Sequence, residues 1–256
     1  MTLIETAAEL RRLHAAPELL QVVNVWDVVS ARAVAALPET RALATAGHSI
    51  AASFGYPDGE IPVDLMLEMA GRIARAVDVP VSADLDDGYG DAGETVRRAI
   101  GEGIVGANIE DRLKPLAESV AVVEAAVAAA DAEGVPFALN ARTDAWLRGH
   151  DRPREVWIAD VVERGRAFLD AGATSVFVPG VFGEAEIEEL VAGIGEQKLA
   201  LIGLPGIPAP ARLEALGVAR LSYGPTTQRV ALGALQDLAV ELYAGGVLPD
   251  GIRPLN

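Results

Sequence analysis

The chain has 256 residues, 51% of them hydrophobic, with no cysteine and a formal net charge of −16. The missing cysteines exclude disulfides, thiolate metal ligands and a thiol nucleophile, and the acidic balance excludes nucleic acid, whose phosphates it would repel. No apolar run reaches the roughly 18 residues a membrane span needs, and the first fourteen residues carry charges where a signal peptide needs an apolar stretch. A cytoplasmic protein with no membrane partner is expected.

In chain order, short β-branched or apolar runs fall at 20–25, 42–46, 79–84, 105–110, 137–142, 175–179, 199–203 and 219–224. A helix-like segment follows each. Eight such units predict a closed parallel (β/α)8 TIM barrel, with 1–256 as a single domain. An open doubly wound sheet is the alternative. The runs are continuous rather than alternating, as expected for strands buried on both faces. Asp91 with Glu94 reads as a capping box after the third strand, and Pro62 fits a first helical turn. Gly103, Gly134, Gly172 and Gly217 stand where helices close before the next strand.

In a barrel of this type the chemistry sits at the C-terminal ends of the strands, and here those ends are acidic. The third runs into Asp84-Leu-Asp86-Asp87-Gly88-Tyr89-Gly90, the fourth ends Asn108-Ile-Glu110-Asp111, and the loop after the second holds Asp58. Asp84 and Asp86 are two apart, so an extended strand projects both to one side. Glu110 closes the neighbouring strand, roughly 5 Å away laterally. Carboxylates converging on one mouth repel unless a cation sits among them. Oxygen donors without cysteine select Mg²⁺, or Mn²⁺, over zinc. Arg142 on the fifth strand can hold a substrate acid group bidentately, or can pair with Asp144. His48 follows the second strand as a candidate acid/base or hydrogen-bond donor. Trp26 follows the first as a candidate pocket wall or a packed aromatic, and Tyr223 ends the eighth. No GxSxG elbow, Walker loop or GxGxxG follows a strand.

Four segments, Ser53-Phe-Gly-Tyr-Pro-Asp58, Asp84-Leu-Asp86-Asp-Gly-Tyr-Gly90, Ile109-Glu110-Asp111 and Asn140-Ala-Arg142-Thr-Asp144-Ala, together resemble the isocitrate lyase/phosphoenolpyruvate mutase superfamily. The resemblance covers nearly the whole chain and is greatest to its short, phosphonomutase-like branch. It implies Asp84 as the direct ligand of Mg²⁺, with Asp58, Asp86 and Glu110 holding the ion mostly through its waters. It implies Arg142 on the substrate acid group, and Gly47, His48 and Ser49 offering backbone N–H groups and a hydroxyl to a carboxylate. It also implies a homodimer or homotetramer, often with the eighth helix exchanged between subunits.

The departures concern the reaction. Where isocitrate and methylisocitrate lyases carry a Lys-[Lys/Arg]-Cys-Gly-His loop, this chain reads Asp111-Arg-Leu-Lys-Pro-Leu-Ala-Glu118. The gating loop of the mutases is shortened to the same segment, and Pro179 replaces a histidine that some mutase-like members carry. The leading expectation is an Mg²⁺-dependent enzyme that makes or breaks a C–C or C–P bond beside a 2-oxo or enolpyruvyl carboxylate, with lyase or decarboxylase chemistry ahead of a P–C mutase. A non-catalytic barrel that keeps metal and metabolite binding is the alternative of another class. A sugar-phosphate enzyme would need a better glycine-rich phosphate loop than Gly203-Leu-Pro-Gly206.

Overall fold

The structure, a computed structural model, describes residues 1–255. Eight parallel strands close into one barrel in sequence order: β1 (Leu20–Val25), β2 (Leu43–Thr45), β3 (Val81–Asp84), β4 (Gly106–Glu110), β5 (Ala138–Arg142), β6 (Ser175–Phe177), β7 (Leu199–Ile202) and β8 (Arg220–Ser222). Closure is made by β8 on β1, in the register Leu20 to Arg220. The open doubly wound sheet is thereby excluded. Several expected strands shorten by one to three residues. The sixth ends at Phe177 because Pro179 has no N–H to give the ladder.

Each strand is followed by at least one helix. These are α2 (Val28–Ala35), α3 (Gly47–Phe54) with α4 (Val63–Arg75), α5 (Ala92–Gly101), α6 (Leu116–Ala132), α7 (Arg154–Asp170), α8 (Glu184–Ile194), α9 (Pro210–Ala215) and α10 (Thr226–Tyr243), and α1 (Leu3–His14) precedes the first strand. Gly103, Gly134, Gly172 and Gly217 all take positive φ at the expected helix exits. Asp91 caps α5 by accepting from the Glu94 N–H at 2.9 Å, and Pro62 lies at the N-cap of α4, one residue ahead of its first turn. No helix among the described residues is long and apolar enough to cross a membrane.

The ends of the barrel differ. α1 closes the N-terminal end, with Leu10 pressed so closely on the start of β4 that a Cβ at Gly106 would stand 2.7 Å from Leu10 Cδ2. Inside, Asn140 donates to Asn108 Oδ1 at 2.8 Å and Ser175 donates to Asn140 Oδ1 at 2.7 Å. This belt joins β4, β5 and β6 beneath the C-terminal mouth, which stays open.

Candidate active site

A cavity of about 750 Å³ fills the mouth, and Asp58, Asp84, Asp86, Glu110, His48 and Arg142 all line it. Asp84 ends β3. Its N–H donates to Thr45 Oγ1 at 3.0 Å, and its Oδ2 accepts the Gly47 N–H at 2.9 Å. Burial, and then the charge of Asp86, push the Asp84 carboxyl up to about 7, against the opposing pull of Arg142 and the Gly47 amide.

The loop after β3 turns sharply. Asp86 (φ 47°) and Tyr89 (φ 54°) take the left-handed conformation together with Gly88 and Gly90. At Gly88 a Cβ would stand 2.7 Å from Ala92 Cβ, so glycine is required there. The turn sets Asp86 beside β4, where its carbonyl accepts the Glu110 N–H at 2.8 Å. Asp86 Oδ2 is buried without a hydrogen-bond partner, and burial raises the Asp86 carboxyl. Burial also pushes the Tyr89 phenol up, and neighbouring Asp86 adds to it.

Opposite charges are threaded through the β4–β5 wall. Arg142 Nη1 lies 2.7 Å from Glu110 Oε2, and its Nε donates to Asp144 Oδ1 at 2.8 Å. Of the two roles considered for Arg142 the pairing with Asp144 is present, and a pairing with Glu110 that the sequence did not suggest is present beside it. Asp144 is fully buried and also accepts from Arg148 Nε at 3.1 Å, while its own N–H donates to Asp111 Oδ1 at 2.9 Å. Arg112 Nε donates to Glu110 Oε1 at 3.0 Å. Even so, burial outweighs these cations and raises the Glu110 carboxyl.

Four expectations need correction. Trp26 does not line the mouth. The chain turns outward at Asp27, which caps α2 and accepts the Ser30 N–H at 2.7 Å, and Trp26 lines an external apolar groove with Val29, Val34 and Leu255. Gly47 and Ser49 also fail to open to the cavity: the Gly47 amide is taken by Asp84, and the Ser49 hydroxyl is buried on the inner face of α3. Of that loop, His48 alone faces in. Finally, the acids share one cavity without forming a ready cage, for no three histidine, aspartate or glutamate side chains among the described residues close on one ion position. Arg142 and Arg112 draw Glu110 aside, and Asp58 stands on an exposed loop with Oδ2 3.5 Å from His48 Nδ1. Tyr223 is turned away as well, its hydroxyl donating to Gln21 at 2.8 Å.

The sequence reading passed over Arg148 and Arg229, both on the cavity wall. Their signal was positional: each lies a few residues past the C-terminal end of a strand, where a barrel gathers its chemistry.

This arrangement has known counterparts. The profile of the family described as phosphoenolpyruvate phosphomutase matches residues 10–243. The chain belongs to the phosphoenolpyruvate phosphomutase family. A crystal structure from Burkholderia cenocepacia J2315, assigned as a phosphonomutase, superposes with a TM-score of 0.86 at 37% identity, covering 95% of this chain and all of that one. A Corynebacterium glutamicum protein named probable 2-methylisocitrate lyase 2 is 27% identical over 97% of this chain and 84% of its own length. An oxaloacetate decarboxylase of Paraburkholderia xenovorans is 31% identical over 93% of this chain and 82% of its own. This phosphoenolpyruvate phosphomutase family member is accordingly an enzyme of the isocitrate lyase/phosphoenolpyruvate mutase superfamily, whose relatives include lyases and decarboxylases.

Proposed function

We propose that the chain, working as one domain, cleaves a C–C bond beside the carbonyl of a small 2-oxo acid, as a Mg²⁺-dependent lyase or decarboxylase. The observation that carries this reading is the meeting of Asp84, Asp86 and Glu110 with Arg142 across one open mouth. The donor set fits a hard divalent ion. It is all oxygen, it includes a buried carboxylate oxygen with no partner in Asp86 Oδ2, and it leaves Asp84 costly to ionise alone. The lack of a closed cage suits Mg²⁺, which is commonly held by one or two carboxylates and keeps several waters. Asp84 would hold it directly, with Asp58, Asp86 and Glu110 acting through those waters, and Mn²⁺ fits the same donors. When bound, such an ion acts as a Lewis acid toward negative charge that develops on oxygen.

The chain's own groups do the rest. Asp144 and Glu110 take Nε and Nη1 of Arg142, which fixes the guanidinium plane and leaves Nη2 for a substrate carboxylate. As the C–C bond breaks, its electron pair moves into the neighbouring carbonyl, whose oxygen becomes negative. Arg142, held in advance by Asp144 and Glu110, opposes that charge. His48 faces Asp58 through Nδ1 and Arg229 through Nε2, so it serves chiefly to orient these two.

The short loop after β4 favours cleavage over phosphoryl migration. Arg112 (φ 48°) and Leu113 (φ 56°) are tightly coiled, the Leu113 N–H donates to Asp111 at 2.8 Å, and Lys114 Nζ donates to Asp87 at 3.2 Å. A segment pinned in this way is a poor gate over a migrating phosphoryl group. The P–C mutase is kept as a second reading because of the family match.

A homodimer or homotetramer with α10 exchanged belongs to the same proposal. α10 leaves the barrel after its first turn, with Val230 at 67%, Leu235 at 61% and Val240 at 64% exposure. An apolar face of this kind marks an interface. The function is tested by turnover of oxaloacetate, phosphonopyruvate and phosphoenolpyruvate, each with Mg²⁺ and with a chelator. Mg²⁺-dependent pyruvate release from oxaloacetate is the expected result. Conversion of phosphonopyruvate alone would move the assignment to the mutase.

A further inference from the structure

Four arginines line the cavity, and three are neutralised within it: Arg112 by Glu110 and Asp87, Arg142 by Glu110 and Asp144, and Arg148 by Asp144. The fourth is Arg229, in the first turn of α10, and it makes no ion pair with a carboxylate among the described residues. Its Nη2 instead faces His48 Nε2 at 3.4 Å. An unneutralised cation inside the mouth of a chain of net charge −16 is a place for an acidic ligand.

The structure holds this turn in place firmly. Asn24 Oδ1 accepts the N–H groups of Tyr223 and Gly224 at 2.7 and 2.8 Å, and the Thr227 hydroxyl donates to the Asn24 carbonyl at 2.8 Å. Gln228, buried next to Arg229, donates to the Ser49 carbonyl and to Ser53 Oγ, each at 3.1 Å. The bonds to β1 and to α3 thus fix the backbone from which Arg229 extends, although the rest of α10 leaves the barrel. Such anchoring fixes where the side chain starts, which lowers part of the ordering cost of binding.

Arg229 lies over β8, β1 and β2, whereas Arg142 ends β5. In a ring of eight strands β5 is the one farthest from β1, so the two arginines line one cavity from opposite sides of the ring. The acids of β3 and β4 lie along one side between them. We infer that Arg229, backed by His48, binds the substrate acid group remote from Arg142, and so selects compounds with two acid groups over compounds with one. The inference rests on the 2-oxo acid reading above and adds the residue that sets its specificity. A carboxylate and a phosphonate present the same chemistry to the guanidinium fork.

The test measures, in Mg²⁺, equilibrium affinities for pyruvate and phosphonopyruvate and the KM and kcat/KM for oxaloacetate, for the wild type and for Arg229→Gln, Arg229→Lys and Arg142→Gln. Losing one charge-assisted contact should weaken both diacids by about 10- to 100-fold in Arg229→Gln, with pyruvate changed less than about twofold. Arg229→Lys should recover part of the loss, and the relative strengths of the two diacids show which acid group the fork prefers. Arg142→Gln should weaken all three ligands. Equal losses for pyruvate and the diacids in Arg229→Gln, or no loss for any, would overturn the assignment of Arg229 alone. A wild type that binds none of the three would overturn the 2-oxo acid reading itself. Arg229 is exposed, so unchanged melting temperatures are expected and would separate binding from folding.

Discussion

At the mouth of the barrel Asp84 and Asp86 lie half-buried beside each other, and at the floor Arg220 is buried beside His14. Both pairs are like-charged when fully protonated or deprotonated, yet the outcomes differ. At the floor Arg220 Nη1 meets His14 Nε2 at 3.5 Å and Ser82 Oγ at 3.3 Å. Burial, and then Arg220, push His14 down to about 3, and burial brings Arg220 down to about 10. His14 is therefore neutral at neutral pH and α1 seals the end, so the like-charge conflict is removed, although Arg220 Nε and Nη2 stay buried without partners. At the mouth, burial and Asp86 raise Asp84 to about 7, and Arg142 and the Gly47 amide offset that conflict only in part. The mouth stays open, so a ligand can relieve it.

The largest expected effect breaks the mouth. Asp84→Asn should lower turnover by about 10³-fold, comparable to removing a preorganised charge-stabilising group. The same change should raise the melting temperature of chelator-treated protein at pH 8. The folded Asp84 carboxyl keeps its proton up to about 7 while the unfolded one releases it near 3.8, so its contribution to stability is lost as pH rises through 7. A lower melting temperature for the variant at pH 8 would mean that the mouth is not under charge strain.

Next, the enzyme should not cleave isocitrate or methylisocitrate at an appreciable rate, despite its Corynebacterium relative. Their cleavage needs a proton for the departing carbanion, and general acid assistance contributes about 10² to 10⁴-fold. The chain has no cysteine, and the loop after Asp111 offers only Arg112 and Lys114, both engaged by acids. Glyoxylate or pyruvate release at about 1 s⁻¹ would show that another acid serves.

Arg142→Lys should weaken 2-oxo acid binding about tenfold, since an ammonium cannot be held by Asp144 and Glu110 and still present a fork. Unchanged affinity in a calorimeter would make Arg142 purely structural.

The last effect concerns the floor, where only stability and not turnover should change. The unfolded chain protonates His14 below about pH 6.5 and the folded chain only below about 3, so this group makes stability rise with pH between those values. Its slope is at most about 1.4 kcal/mol per pH unit. Asp84 acts with the opposite sign between 3.8 and 7, so the wild type should look flatter than His14 alone would make it. His14→Gln should therefore lose less stability than the wild type when the pH falls from 6.5 to 4.5 in denaturant titrations. Parallel curves would contradict the neutral buried histidine.

Much of this was legible in the sequence, for stated reasons. Strands buried on both faces read as uninterrupted apolar runs, and acids after such runs fall at one end of a barrel. The Asp84 to Gly90 and Ile109 to Asp111 segments therefore located the mouth before any coordinates. Direction and pairing were not legible. Whether Trp26 turned in or out depended on Asp27 capping α2, and whether the Gly47 amide stayed free depended on where Asp84 Oδ2 came to rest. Arg229 drew no reading from the sequence, because it becomes a wall of the cavity only where β8 closes onto β1.

The central claim is that the acids of β3 and β4 hold a divalent ion which, with Arg142, binds a 2-oxo or related acid. Calorimetric titration of oxalate into the wild type and into Asp84→Asn, each with Mg²⁺ and with chelator, tests it most directly. The account predicts binding by the wild type only when Mg²⁺ is present, and none by Asp84→Asn. Equal oxalate binding with and without Mg²⁺, or full Mg²⁺-dependent binding by Asp84→Asn, would contradict it.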